Sequence, residues 1–230
     1  MVLRHPSLAV VIPALNEARR LPLLLADLQS GGNPLLEEIV VVDGGSLDGT
    51  ASLAHLGGAR VIRSTANRGR QLHCGVSVTT APWLLLLHAD ARLPLGWEGK
   101  VQQAMGAAPA SWYFDLGIAA AGLPLRLLEQ AVRLRSRWRQ LPYGDQGLLL
   151  PRVLLERSGG IRPWPLMEDL DLIQRLRRQA PVRPLGSAIQ VDGRRWKRHG
   201  VLGTARRNAA LRRAWRRGCP PEDLARRYYR

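Results

Sequence analysis

At 230 residues, 46% of them apolar, the chain is long enough to bury a sizeable core and is most simply one domain with an appended tail. Two cysteines far apart, Cys74 and Cys219, exclude a disulfide framework and point to a reduced, cytoplasmic compartment. The formal net charge of +16 calls for an anionic partner, and no apolar run approaches the roughly 20 residues of a bilayer-spanning helix. The charge is uneven: residues 1–93 carry eight arginines against seven acids, residues 194–230 thirteen Lys/Arg against two. Arginine outnumbers lysine 32 to two, so genome base composition is a competing source of that charge.

Leu8 to Pro13 reads as a short buried strand, and its early break at Pro13, Asn16 and Glu17 argues against a signal peptide. A helix follows to about Gln29, with Leu21, Leu24, Leu25 and Leu28 at helical spacing. Ile39 to Val42 is too short and too β-branched for a helix and forms a second strand ending on Asp43. Gly44 and Gly45 permit a tight turn, and Ser46 or Asp48 is placed to cap a helix from near Gly49 or Thr50. Taken alone, Asp43 and Asp48 fit a ligand-facing rim and a turn with its cap equally well.

The third unit has a strand over 59–63, and Asn67-Arg68-Gly69-Arg70-Gln71 opens a helix to about Thr79. A fourth strand, 83–87, ends on His88-Ala89-Asp90. This cadence predicts right-handed crossovers and an α/β fold, a largely parallel sheet with helices on both faces. Such sheets bind ligands at the C-terminal ends of their strands, so Asn16/Glu17, Asp43 and His88/Asp90 are expected to share one crevice. Further on, 122–139 and 201–217 read as basic amphipathic helices of the kind that lie on anionic lipid, or as solvated basic faces over a core stripe. Glu168, Asp169 and Asp171 read as the acidic first turn of a helix running into Arg175, Arg177 and Arg178.

Val11-Ile-Pro13-Ala-Leu-Asn16-Glu17, Val42-Asp43-Gly-Gly-Ser46-Leu-Asp48-Gly-Thr50, Asn67-Arg68-Gly69, the strand end at Asp90, Tyr143-Gly144-Asp145-Gln146-Gly147 and Met167-Glu168-Asp169-Leu-Asp171 occur in this order. Over roughly residues 8–200 this series resembles the family-2 glycosyltransferases of GT-A fold, and most of all a small soluble bacterial subgroup associated with small-metabolite glycosylation. The resemblance implies transfer, with inversion, from a UDP- or GDP-sugar to an acceptor hydroxyl. By the same likeness, Asp43 would read the nucleobase, and Pro13, Asn16, Glu17, Ser46, Asp48, Arg68 and Ala89 would line the donor site. Arg68 also reads as a helix-start surface arginine. The family's Asp-x-Asp motif binds a divalent metal, Mn²⁺ or Mg²⁺; here it is His88-Ala89-Asp90. Asp90 is then the ligand expected, His88 is favoured as a packing residue, and His199 is a second ligand candidate. Asp169 would be the general base beside Glu168, with Asp145, Gln146, Arg195 and Trp196 at the acceptor or diphosphate, and Trp112 and Tyr113 in an acceptor pocket drawn from 111–147.

The domain reading is a catalytic unit over 1–200 and a basic helical tail over 201–230, packed on it or extending from it. Expected partners are the nucleotide-sugar donor, a small-molecule or lipid-linked acceptor and an anionic membrane surface touched peripherally; nucleic acid is not expected, since no recognition motif is present. A dinucleotide oxidoreductase lacks its Gly-x-Gly-x-x-Gly after the first strand. A basic membrane or nucleic-acid adaptor without catalysis is the runner-up, and it leaves the acidic strand ends unexplained.

Overall fold

The two densest apolar runs become the centre of the sheet in the computed structural model, which describes residues 7–30, 34–193, 196 and 200–229. Strand β1 (Leu8–Ala14) is buried at every residue and β2 (Leu36–Asp43) over its last five, as parallel strands covered on both faces must be. Between them lies α1 (Leu21–Gln29); α2 (Thr50–Leu56), β3 (Arg60–Arg63), α3 (Arg68–Ser77) and β4 (Trp83–Leu86) follow. The chain continues through α4 (Trp97–Met105), β5 (Ser111–Ala119), α5 (Leu123–Arg139), β6 (Leu148–Pro151), α6 (Arg152–Arg157), α7 (Glu168–Leu176) and β7 (Val182–Asp192). Two further helices, α8 (Val201–Arg216) and α9 (Pro221–Tyr229), end the described chain.

The described strands form one seven-stranded sheet in the order β3-β2-β1-β4-β6-β5-β7, in which β6 runs antiparallel to both neighbours. That reversal has a consequence for function. The C-terminal ends of the parallel strands and the N-terminal approach to β6 meet on the same edge of the sheet, so the turn at 144–146 joins the strand-end loops.

Alternate residues feed two cores. Val10 and Ile12 meet Leu21, Leu24 and Leu28 of α1 and Trp97 of α4; Ala9 and Val11 meet Leu72 of α3 and Leu172, Ile173 and Leu176 of α7. Helix α3 lies so near the sheet that a methyl on Gly75 would stand 2.4 Å from Val11. The tail packs on this frame: Leu211 of α8 and Leu224 and Ala225 of α9 are buried with Leu166, Met167 and Leu170. Among the described residues no helix is long and apolar enough to cross a membrane.

The cap of α2 differs from the sequence expectation. Its N-cap is Gly49 in the left-handed region at φ 84°, and Asp48, one residue outside, accepts from the Thr50 N–H at 3.2 Å.

Candidate active site

The loops after β1 and β2 are laced to each other by the side chains expected to touch a ligand. Asn16, itself left-handed at φ 55°, donates its N–H to Ser46 Oγ at 2.9 Å and accepts from the Leu47 N–H at 2.9 Å. The Glu17 N–H donates to Thr50 Oγ1 at 2.9 Å, and Asp48 accepts from the Ala18 N–H at 3.1 Å and from Thr50. The bond from the Thr50 hydroxyl, helped by these backbone donors against a smaller cost of burial, holds the Asp48 carboxyl below its ordinary value. Asp43 is buried at the end of β2 and accepts from the Gly45 and Ser46 N–H groups.

Nearer the middle of the sheet the acids are differently placed. Asn67 caps α3, accepting from the Arg70 N–H at 3.0 Å, and this sets Arg68 in the first turn. Arg68 donates to the buried Glu168 carboxylate at the start of α7. Burial works against the Arg68 charge, but Glu168 and Asp169 outweigh it and its pKa is raised; burial pushes Glu168 up while Arg68 pulls it back. Asp169, the next residue, accepts from the Gly144 N–H at 2.8 Å and from the Leu170 N–H at 2.8 Å, which fixes its carboxylate. The Gly144 approach is tight: a methyl there would stand 2.9 Å from His88 Nε2 and 3.2 Å from Asp169 Oδ2. His88 therefore turns toward Gly144 and Asp169.

Two cavities open on this edge. One, of about 380 Å³, is lined by Pro13, Glu17, Asn67, Gln71, Ala89 and Tyr229 among others. The other, of about 220 Å³, is lined by Tyr143, Gly144, Asp145, Asp169, Trp196 and Arg212 among others. Arg68, His88 and Asp90 line both and so form the ledge between them. In the second cavity Asp145 Oδ1 is out of solvent without a hydrogen-bond partner. Burial raises the Asp145 carboxyl, Arg135 opposes, and the neighbouring Asp169 adds to the rise.

Of the residues singled out in the sequence, Pro13, Glu17, Arg68, Ala89, Asp90, Asp145, Asp169 and Trp196 come together on the cavity walls. Asn16, Asp43, Ser46 and Asp48 line neither cavity and serve as loop ties. Gln146 is a correction: it is fully buried, accepts from Ser136 Oγ at 2.9 Å and Arg135 at 3.1 Å, and donates to the Phe114 carbonyl at 3.1 Å, so it has no face toward either cavity. Tyr113 is another, wholly buried in the sheet core with its hydroxyl pushed up to about 12 by burial, and Trp112 lines neither cavity. Arg195 and His199 lie outside the described residues.

The sequence reading missed Tyr143 as a wall, Asp192 at the end of β7, and the tail residues Asn208, Leu211, Arg212 and Tyr228. Tyr143 lies between two guanidinium groups, Arg135 at 3.5 Å and Arg212 at 5.3 Å from its ring centre. The basic spacing of 201–217 signalled a helix but not which residues of it would meet a cavity.

Among the described residues no group of three His, Cys, Asp or Glu side chains is arranged to hold a metal. Magnesium in particular is commonly held by one or two carboxylates together with substrate phosphates. Asp90, on the ledge, fits that limited role.

Glycosyl transferase family 2 matches residues 9–121. A glycosyltransferase of Mycobacterium tuberculosis is 35% identical over 91 residues, 39% of each chain. The PGL/p-HBAD biosynthesis glycosyltransferase of that organism is 36% identical over 97 residues, 38% of this chain and 37% of its own. The chain thus spans about two-fifths of the length of the curated relatives it matches. A mannosyltransferase from Pyrobaculum calidifontis, solved with GDP-Man and Mn²⁺, superposes with a TM-score of 0.61 at 21% identity, over 80% of this chain and 56% of that one. Glucosyl-3-phosphoglycerate synthase from M. tuberculosis, solved with Mn²⁺, UDP and phosphoglyceric acid, gives 0.58 at 20% identity, over 81% and 69%. The match to glycosyl transferase family 2 covers residues 9–121, and the whole sheet has the GT-A fold of the solved glycosyltransferases it superposes on.

Proposed function

We propose that the chain transfers a sugar from a nucleoside-diphosphate sugar to an acceptor hydroxyl, with inversion at the anomeric carbon. The observation that carries this reading is the pair of cavities sharing Arg68, His88 and Asp90, of which the smaller holds Asp169. The donor takes the larger cavity, whose wall holds Pro13, Glu17, Arg68 and Ala89, with the Asn16, Asp43, Ser46 and Asp48 ties holding the loops after β1 and β2 in place. The acceptor takes the smaller one, where Tyr143 and Trp196 offer aromatic faces and Asp145 a carboxyl. It is a small molecule or a lipid-linked hydroxyl.

Asp169 takes the proton of that hydroxyl as its oxygen bonds to the anomeric carbon. The bond from that carbon to the diphosphate oxygen breaks, and the nucleoside diphosphate leaves with the electron pair. The two N–H bonds to Asp169 fix the carboxylate for this approach. Asp90 would hold a Mn²⁺ or Mg²⁺ ion, which when bound supplies charge to the diphosphate. Two solved relatives contain GDP-Man or UDP together with Mn²⁺, which supports this donor class and metal.

Thermal unfolding in the presence of UDP, GDP, CDP, dTDP or NAD, each with and without Mn²⁺ or Mg²⁺, tests the donor assignment. A nucleotide at about 100 times its Kd adds roughly 2.7 kcal/mol, or about 5–10 °C in Tm for a chain of this size. A metal-dependent rise with one nucleoside diphosphate is expected; no rise, or one with NAD alone, contradicts the reading.

A further inference from the structure

Helix α5 is apolar on two opposite sides. Leu125 and Val132 are buried against Leu116, Ile118 and Val191. Leu123, Leu127, Leu134 and Trp138 point the other way and are 73, 62, 65 and 84% exposed. At 3.6 residues per turn these four fall within roughly 60° of each other, opposite the buried pair. Single exposed leucines are ordinary, whereas a four-turn stripe ending in tryptophan marks an interaction surface.

The stripe lies in a strongly positive setting. Helix α8 touches α5, and Val201 at its start joins the core beneath α5. Together the two helices carry ten arginines and one acid, Glu129. Arg126 pairs with Glu129, and Arg133 and Arg137 share Asp115, yet a large positive excess remains. A second copy of the chain would bring the same charge to the contact and be repelled. Nucleic acid would meet the arginines and leave the leucines in water. A bilayer with anionic headgroups matches both features: leucine and tryptophan enter the boundary between headgroups and acyl chains while the arginines meet phosphate.

We propose that the outer face of α5 docks this protein on an anionic lipid bilayer. From its inner side the same helix builds the wall of the smaller cavity, since Arg135 lies over Tyr143 and Ser136 donates to Gln146. Docking does not depend on glycosyl transfer and is measured with no donor or acceptor present, so the two readings fail separately.

The test is co-sedimentation of the full chain with vesicles of phosphatidylcholine alone, or with about one-third phosphatidylserine. The wild type is expected to bind the anionic vesicles, and the triple variant Leu127→Ser, Leu134→Ser, Trp138→Ser to partition at least about tenfold less at unchanged Tm. In the wild type, brominated acyl chains are expected to quench a fluorescence component that Trp138→Phe removes, a readout that does not depend on the triple variant folding. Failure of the wild type to bind anionic vesicles overturns the proposal, as does wild-type binding by a folded triple variant or absence of that quenching. A solution dimer that the triple variant dissolves would make the stripe a contact between copies instead.

Discussion

The β1/β2 rim and the β4/β6/α7 rim are built from the same residue types, yet they use them in opposite ways. On the first, Asn16, Ser46 and Asp48 accept backbone N–H bonds from one another's loops, and Asp43 accepts from Gly45 and Ser46 of its own. On the second, Asp90, Asp145 and Asp169 line a cavity, and Asp145 Oδ1 has no partner at all. The difference is topological. Two adjacent parallel strands leave two loops side by side whose unpaired N–H groups need acceptors, and nearby acids supply them. At β6 the sheet reverses, the incoming turn at 144–146 brings its own N–H to Asp169, and Asp90 and Asp145 are left on the cavity wall. An acid on this edge is thus a tie between loops on the first rim and part of a cavity wall on the second.

The largest effect should come from the ion pair that anchors the second rim. Arg68→Ala leaves the buried Glu168 unpaired, and because Arg68 is partly exposed the cost falls at the low end for such pairs. About 3 kcal/mol is expected, roughly 6–12 °C in Tm by calorimetry. Gly144→Ala sharpens the contrast from the other side. Its methyl forces His88 and Asp169 apart, so turnover should fall about 100-fold while nucleotide affinity holds. On the first rim, Asn16→Ala removes one acceptor and puts alanine at a positive φ, for about 1 kcal/mol of stability. Nucleotide titration should then show affinity close to wild type; a large loss would move Asn16 from tie to ligand contact.

The smallest effects are opposite in their pH dependence. Asp48 has a lowered folded-state pKa, so its stabilisation is full above the ordinary value of 3.8 and is lost as pH falls through the lowered one. Asp48→Asn should therefore be less stable than wild type near neutrality and converge with it in acid. Asp145 has a raised pKa, so its contribution is full below 3.8 and is lost as pH rises through the raised value. Asp145→Asn should gain on wild type as pH rises. Melting curves across this range that moved in the same direction would erase the distinction between the rims.

Much of this was legible in the residues. Unbroken apolar runs at Leu8–Pro13 and Ile39–Val42 identify strands covered on both faces, and Glu168-Asp169 is recognisable as the acidic start of a helix. Gln146 and Tyr113 were misplaced because a polar or aromatic residue in a site motif looks the same whether it faces a cavity or the core. For Gln146, bonds to Ser136 and to the Phe114 carbonyl on β5 decide it. Arg212 and Tyr228 were illegible for a related reason: the fold of the tail over α7 rests on Leu166, Met167 and Leu170 meeting Leu211 and Leu224, a contact that no local spacing announces.

The most direct measurement is transfer and nucleotide affinity side by side for Asp169→Asn, with the nucleoside diphosphate identified by thermal unfolding. Transfer is expected to fall by about 10²–10⁴-fold with affinity unchanged, as for a base on the acceptor side of the ledge. Retained transfer, or loss of nucleotide affinity in proportion, would contradict the division of the site into a donor cavity and an acceptor cavity that holds the base.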